Sequence, residues 1–268
     1  MLCGSLDCAS IHVAKRGQME TEMSIANECT FEKVAADYAP IIEDAVGAYR
    51  RNLDKLLLSV RLMGSVPRGD ATIGASDIDF VALTSMNAEA NHRSMLEAES
   101  KRLTAKYPCV GRVDLEIEIK GRVTAVRDFI FRSDSICVWG DDTYIKTDIK
   151  MSNIALAKLV TPDFDKLLSG YRQRLKNPIQ AEELGQLCRS VGKDVLKCFR
   201  RFLILKLALY KKGAIDIHDQ LVSYFPQETD TFDRLLSIHE QPIQKREDLL
   251  DVLRSSAESF RRMEKAAV

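Results

Sequence analysis

The chain has 268 residues, of which 46% are hydrophobic and 29% charged, so it can fold as a globular protein with a sizeable core. Its 39 acidic and 39 basic residues cancel at pH 7, which excludes a global charge bias toward nucleic acid or membrane. The longest apolar run, at 202–210, is far shorter than the ~20 residues of a bilayer span. The seven cysteines form no C-x-x-C pair, a pattern typical of reduced thiols in a cytoplasmic protein.

The first half of the chain predicts a mixture of strands and helices. Residues 1–30 carry no strong periodicity and are predicted to be a weakly structured N-terminal extension. Apolar residues at helical spacing predict helices, whereas short apolar or alternating runs predict strands. In chain order the predictions are a helix over 31–53, strands over 55–63 and 77–84, a helix over 87–106, and strands over 112–119 and 135–139.

The second half predicts helices alone, separated by turn signals at Asn177-Pro178, Gly213 and Pro226. The predicted helices cover 162–175, 179–212, 216–224, 229–239 and 246–265. The expected fold is therefore α/β (α+β), with a small mixed β-sheet lobe followed by an all-helical C-terminal lobe. We expect the domains to divide at 1–30, 31–150 and 151–268.

One stretch, 63–80, carries the pattern M-G-S-V-P-R-G-D-A-T-I-G-A-S-D-I-D-F. Gly64 lets the backbone approach a phosphate closely, and the hydroxyl of Ser65 can donate a hydrogen bond to it. Asp77 and Asp79 stand two residues apart at a strand, so both point to the same face. Two carboxylates this close repel each other unless a cation lies between them, and Mg²⁺ is the cation that binds carboxylates and a triphosphate together.

A later strand supplies a third carboxylate. In the run V-D-L-E-I-E at 113–118, Asp114, Glu116 and Glu118 share one face and the apolar residues share the other. A third carboxylate completes a site for two Mg²⁺ ions, which lie about 3.5–4 Å apart in such enzymes.

The sequence resembles the DNA polymerase beta-type nucleotidyltransferase superfamily in one pattern: apolar-Gly-Ser, then Asp-apolar-Asp, then a carboxylate on a later strand. The resemblance covers roughly 56–120, and the size and helical second half look most like bacterial stand-alone proteins related to aminoglycoside adenylyltransferases. It implies a cytoplasmic, Mg²⁺-dependent enzyme that transfers a nucleoside monophosphate from a nucleoside triphosphate, ATP by resemblance, to an acceptor hydroxyl and releases pyrophosphate.

The resemblance also implies roles for individual residues. Asp77, Asp79 and Asp114 are the expected metal ligands and catalytic residues, with Glu116 as the rival for the third position. The expected contacts to the triphosphate come from Gly64, Ser65, Arg68, Ser76 and, in the helical half, Lys193. Two alternatives stay open here: Arg68 is either a phosphate ligand or an ordinary loop residue, and Lys193 either reaches the triphosphate or belongs to a solvated basic face.

The base and the acceptor stay open as well. Besides the third carboxylate, Glu182 and Glu183 are candidates for deprotonating the acceptor. A small-molecule acceptor of aminoglycoside type, a polycation, would suit the acidic cluster of β-strand 113–118 with Asp141-Asp142. An RNA or protein acceptor is the alternative, and the basic helix at 189–206 would suit RNA. A catalytically inactive nucleotide-binding regulatory module is a third class, disfavoured because clustered carboxylates cost stability without a metal.

Overall fold

The structure is a computed structural model that describes residues 12–13, 19–86, 90–144 and 148–267. The chain divides into two compact units. One is formed by Ser24–Ile149, and the other by the helical residues from Lys150 onward together with the described residues before Ser24. The predicted boundaries lie at 30 and 150, and part of the predicted N-terminal extension, Glu22–Ile25, forms a strand.

The strands among the described residues are β1 (His12–Val13), β2 (Met19–Glu20), β3 (Glu22–Ile25), β4 (Leu57–Met63), β5 (Ile78–Thr84), β6 (Val113–Ile119), β7 (Ser135–Gly140) and β8 (Ile149–Ser152). Strand β1 pairs with β2, and β3 with β8. The other four form one sheet in the order β6-β5-β4-β7. Only β5 and β6 run parallel in it, so the sheet is mixed, and the predicted fold class is confirmed.

The α-helices are α1 (Ala39–Leu53), α2 (Ser65–Arg68), α3 (Ala90–Lys106), α4 (Ala125–Ser133), α5 (Asn153–Val160), α6 (Phe164–Arg174), α7 (Ala181–Leu207), α8 (Ala214–Tyr224), α9 (Thr229–Glu240) and α10 (Arg246–Ala267). None of the helices in the described ranges combines the length and the apolar character that crossing a bilayer requires.

One sequence prediction of local structure was wrong, and three short elements were missed. The helix predicted to begin at 31 begins at Ala39, because Pro40 lacks an amide hydrogen and fits only the first helical turn. Short 3₁₀ turns at Phe31–Lys33 and Ala36–Tyr38 precede it. Helices α4 and α5 and strand β8 were not predicted, since each is too short to show a clear period.

Helices α1 and α3 cover one face of the sheet of the first unit. Side chains such as Leu62, Phe80 and Val113 are buried between them and the sheet, and each large one contributes about 1.5–3 kcal/mol by leaving water. The buried hydroxyl of Tyr49, on α1, lies 3.1 Å from the carbonyl oxygen of Phe80 and 2.9 Å from that of Glu116. It thereby ties α1 to both β5 and β6.

The opposite face of the sheet is only partly covered. Met63, Val81 and Leu83 pack there against Phe131 of α4 in a smaller apolar cluster. Because side chains alternate along a strand, Asp79 points to this second face, two residues before Val81. The carboxylates predicted to bind metal therefore lie on the face that α1 and α3 leave open.

The helical unit is organised around α7, whose buried residues recur every three or four positions. Phe199 lies at the centre, with the rings of Phe232 and Phe260 at centroid distances of 5.2 and 5.4 Å in edge-to-face geometry. Phe164 of α6 stacks on Phe260 at 3.9 Å. This unit has a hydrophobic core of its own.

Candidate active site

The register between β5 and β6 brings two of the predicted carboxylates side by side. Asp79 is the direct neighbour of Asp114 across the parallel pair, and Val81 is the neighbour of Glu116. Ile78 and Val113, one residue earlier on each strand, are fully buried under the helices. Asp79 and Asp114 therefore project from the open face, on strands about 4.8 Å apart.

The Gly-Ser turn lies directly against Asp79. Strand β4 ends at Met63, the antiparallel neighbour of Asp79. Gly64 follows with φ of +79°, and a Cβ atom placed on it would lie 3.1 Å from Oδ2 of Asp79. Its amide donates to the carbonyl oxygen of Asp134 at 3.2 Å. Ser65 then begins the one-turn helix α2. The turn, and with it the predicted phosphate contacts, adjoins the carboxylates.

Arg112 joins Asp77 to Asp114. Its Nη2 atom lies 2.6 Å from Oδ2 of Asp114 and 3.6 Å from Oδ2 of Asp77. Burial raises the pKa of Asp114, and the charges of Asp77 and Glu116 raise it further, while Arg112 acts in the opposite direction. The three predicted metal ligands thus share one small region, and a cationic side chain lies between two of them.

Arg68 is used within the protein. Its Nε atom lies 2.7 Å from Asp70, and its Nη1 atom lies 2.7 Å from both carboxylate oxygens of Asp134. Burial alone would lower the pKa of Arg68, but these two carboxylates raise it. The guanidinium thus links the residues after β4 to Asp134, which immediately precedes β7. Arg68 therefore lies beside the site, and its side chain already forms ion pairs with two carboxylates.

Ser76 organises the loop that precedes Asp77. Its hydroxyl accepts a hydrogen bond from the amide of Thr72 at 2.9 Å, and its own amide donates to the carbonyl oxygen of Thr72 at 2.9 Å. Its carbonyl oxygen accepts from the amide of Gly111 at 2.9 Å. The hydroxyl is the acceptor in the bond from Thr72, so its O–H can still donate to a phosphate oxygen as predicted.

Arg127 is a site residue that sequence reasoning missed. It lies on α4, and its guanidinium pairs with the carboxylates of Glu116 and Glu118. Its Nη1 atom also lies 3.8 Å from the sulfur of Met63. A signal for the helix existed: Thr124 caps it by accepting from the amide of Arg127. The apolar positions 126, 129 and 130 follow at helical spacing.

The donor set suits a divalent cation, although it is not preassembled around one. No group of three His, Cys, Asp or Glu side chains within the described ranges is disposed to hold a metal ion. The oxygens of Asp77 and Asp114 instead face the guanidinium of Arg112. A position that already attracts a cation, lined by carboxylate oxygens, matches the preference of Mg²⁺ for oxygen ligands.

The other predicted residues lie on α7, in the helical unit. Lys193 is exposed there, one turn before Lys197. Glu182 and Glu183 stand in the first turn of the same helix, and Glu183 lies 3.9 Å from Arg174. The first unit itself contains every other residue predicted for the site.

Residues 47–135 match the family model of the nucleotidyltransferase domain. This stretch runs from α1 to the first residue of β7 and includes Gly64, Asp77, Asp79 and Asp114. Over these residues the chain is similar to nucleotidyltransferase domains. The predicted resemblance to that superfamily is confirmed. Transfer of a nucleoside monophosphate is the chemistry that such a domain supports.

Solved structures similar to this chain extend the likeness beyond the nucleotidyltransferase domain. A spectinomycin adenyltransferase from Enterococcus faecialis, solved with ATP and spectinomycin, is 10% identical, covers 85% of this chain and 99% of its own, and has a TM-score of 0.51. Its fold is therefore similar over both units. No curated protein matches the sequence.

Two further similar structures belong to toxin–antitoxin systems. One, solved with AMP-PNP, is 19% identical, covers 38% of this chain and 74% of its own, and has a TM-score of 0.30. The other, a tri-AMPylated HEPN toxin with its MNT antitoxin from Shewanella oneidensis, is 18% identical, covers 37% and 70%, and has a TM-score of 0.27.

Proposed function

We propose that this chain transfers AMP from ATP to a hydroxyl group of a small-molecule acceptor and releases pyrophosphate, with Mg²⁺ held by Asp77, Asp79 and Asp114. The observation that carries the proposal is the register of β5 and β6, which sets Asp79 beside Asp114 and next to the Gly64 turn. The arrangement lies within the nucleotidyltransferase domain, whose fold continues into the helical unit as in an adenyltransferase.

Asp114 is a better third ligand than Glu116. It is the direct strand neighbour of Asp79, whereas Glu116 lies two residues, or about 6.6 Å, farther along the strand. Glu116 is also held by Arg127, together with Glu118. Arg112, the partner of Asp114, has 61% of its side-chain surface exposed and can leave at little cost.

Each residue of the proposed site has its own role in the transfer. Mg²⁺, when bound, offsets the negative charge of the triphosphate and of the transition state. Gly64 leaves room for a phosphate beside Asp79, and Ser65 donates its hydroxyl to a phosphate oxygen. The acceptor hydroxyl loses its proton to the carboxylate of Asp114, with Glu182 and Glu183 of the helical unit as the alternative bases.

Two of the predicted triphosphate contacts are basic residues. The contact from Lys193, which is exposed on α7, stays a prediction. We assign Arg68 a positioning role instead, because Asp134 and Asp70 already bind its guanidinium. Ser76 likewise positions Asp77 through its hydrogen bond from Thr72.

The charge argument for a polycationic acceptor is weaker than the sequence indicated. The single positive charge of Arg127 lies against Glu116 and Glu118 and offsets part of their negative charge, and the buried Arg61 lies 2.6 Å from Asp142. We therefore propose a small-molecule acceptor from the fold shared with the spectinomycin adenyltransferase, and place no requirement for several amino groups on it.

The test follows label from the α-phosphate of ATP. The chain is incubated with α-labelled ATP, Mg²⁺ and, in separate arms, spectinomycin, aminoglycosides, RNA and bacterial protein extract. We expect label on a small molecule with stoichiometric pyrophosphate, falling at least about a hundredfold in Asp79→Asn. Asp44→Asn is the control, because Asp44 pairs with Lys106 on the helix-covered side.

The other possible outcomes of this experiment would each support a different function or contradict the assigned site. Label on RNA or on a protein would replace the small-molecule acceptor with that class. Binding of ATP without pyrophosphate release in any arm would indicate the regulatory module instead. Transfer that Asp79→Asn leaves intact would contradict the assigned site.

A further inference from the structure

Arg112 holds a position that no prediction assigned to it. It immediately precedes β6, and its guanidinium contacts Asp114 directly while lying 3.6 Å from Asp77. Both carboxylates belong to the set that we propose for Mg²⁺. A metal ion between Asp77 and Asp114 would have to take oxygen atoms that the guanidinium now faces.

We propose that Arg112 is a built-in competitor of the divalent cation, which holds Asp77 and Asp114 until a metal–nucleotide complex displaces it. The inference rests on the proposed function. It adds that the metal binds well only when the nucleotide arrives with it.

The charges explain why the nucleotide matters. A free divalent cation would be repelled by the guanidinium and would offer it no new partner. The complex of Mg²⁺ with ATP carries a net negative charge, so the displaced guanidinium gains a phosphate as its partner. Replacement of one ion pair by another then costs far less than the loss of an ion pair.

The burial of Arg112 and Arg127 explains why Arg112 is the one that moves. Its side chain is 61% exposed, and such ion pairs contribute little to stability. The side chain of Arg127 is 23% exposed and holds Glu116 and Glu118 at once. Arg127 therefore stays in place while Arg112 is exchanged.

The experiment measures Mn²⁺ binding by electron paramagnetic resonance, with and without an ATP analogue that cannot be cleaved between the α- and β-phosphates. Wild type is expected to bind Mn²⁺ weakly alone and tightly with the analogue. In Arg112→Gln the dissociation constant for Mn²⁺ alone should fall by about fivefold or more. Arg112→Lys, which keeps the charge, should resemble wild type.

Arg102→Gln is the matched control, because Arg102 is also a half-exposed arginine paired with a carboxylate, Glu99. If Arg112→Gln binds Mn²⁺ alone no more tightly than Arg102→Gln, the inference is overturned. Wild type that binds Mn²⁺ with the analogue would in that case still support the proposed function. If wild type binds no Mn²⁺ even with the analogue, the proposed function fails, and this inference fails with it.

Thermal unfolding separates competition from a structural role. Without metal, Arg112→Gln should unfold at nearly the same temperature as wild type, because an ion pair this exposed contributes little to stability. Mn²⁺ alone should raise the unfolding temperature of the variant and change that of wild type far less. A loss of stability that Mn²⁺ does not reverse would show a structural role and contradict the inference.

Discussion

Gly64 illustrates how tightly the residues around the carboxylates are fitted. Its φ of +79° lies in a region that glycine adopts readily and other residues rarely do. A methyl group at the same position would lie 3.1 Å from Oδ2 of Asp79. The side chain is thus excluded twice, once by the backbone and once by the neighbouring carboxylate.

We predict that Gly64→Ala destabilises the fold by about 1–3 kcal/mol and also weakens ATP binding, because Asp79 must shift. Gly121→Ala is the control, since Gly121 has φ of +80° and nothing lies within 4 Å of the added methyl group. Chemical denaturation and ATP titration measure the two effects. Equal losses of stability in both variants, with ATP binding unchanged in Gly64→Ala, would show that the contact with Asp79 has no consequence.

Lys197 gives a prediction for pH. Burial, reinforced by the charge of Lys193, lowers the pKa of Lys197 from 10.5 to about 8. Below pH 8 the lysine is charged in both the folded and the unfolded chain, so the folded state is destabilised by the full cost of burying the ammonium group. Between pH 8 and 10.5 the folded chain loses the proton first, and stability rises with pH.

Lys197→Met should therefore stabilise the protein at pH 7 by about 1 kcal/mol, a value reduced for the 31% of the side chain that solvent still screens. The gain should shrink as pH rises from 8 to 10.5, as denaturation at several pH values would show. Replacing the exposed Lys166 in the same way controls for loss of a lysine. A gain that grows with pH would refute the assignment.

At the scale of secondary structure, helix α4 supplies the basic partner of two of the carboxylates on β6. The sequence places Asp114, Glu116 and Glu118 on one strand face, and the structure confirms their alternation. The helix brings Arg127 onto the last two of them. The three carboxylates have the same chemical character, but Asp114 pairs with Arg112, whereas its two neighbours pair with Arg127.

The packing of α7 against α9 gives a prediction at this scale. A methyl group on Gly192 would clash with the carbonyl oxygen of Leu235 and lie 2.8 Å from Cβ of His239. We predict that Gly192→Ala destabilises the protein by about 2–4 kcal/mol, because backbone atoms cannot move aside cheaply. Chemical denaturation at equilibrium measures the loss.

Gly185→Ala is the control in the same helix. Its methyl group would meet only Cβ of Pro242, at 3.8 Å, an ordinary contact. Alanine favours helix over glycine by up to about 1 kcal/mol, so this variant should be unchanged or more stable. Equal effects of the two substitutions would contradict the close approach of α7 and α9.

At the scale of the whole molecule, two hydrophobic cores stabilise the chain. One lies between the sheet and helices α1 and α3, and the other surrounds α7. All three proposed metal ligands and the Gly64 turn belong to the first unit, whereas Lys193 belongs to the second. Ligand binding to the proposed metal ligands is therefore expected to stabilise the first unit.

We predict that ATP and Mg²⁺ together raise the unfolding temperature by at least about 2 °C, since ligand at 100 times its dissociation constant adds about 2.7 kcal/mol. Either alone should add much less. Differential scanning fluorimetry measures the shift, which Asp79→Asn should abolish and Asp44→Asn should keep. A shift that persists in Asp79→Asn would place the nucleotide elsewhere.

Much of the fold was predictable because local periodicity encodes it. Strands β4 to β7 and helices α6 to α10 lie within a few residues of their predicted positions. The nine-residue α4 and the eight-residue α5 were missed, since so few turns give a weak period. The roles of Asp77, Asp79 and Asp114 stay predictions, although the structure places these residues together.

The sequence by itself determined the nucleotidyltransferase motif, the faces of β5 and β6, and the helical character of the second half, because each depends on neighbours a few residues apart. Only the tertiary structure decided which cation meets which carboxylate. Arg61 and Asp142 are 81 residues apart in sequence, and Arg68 and Asp134 are 66 apart. Such pairs depend on strand register and helix packing, which no local pattern records.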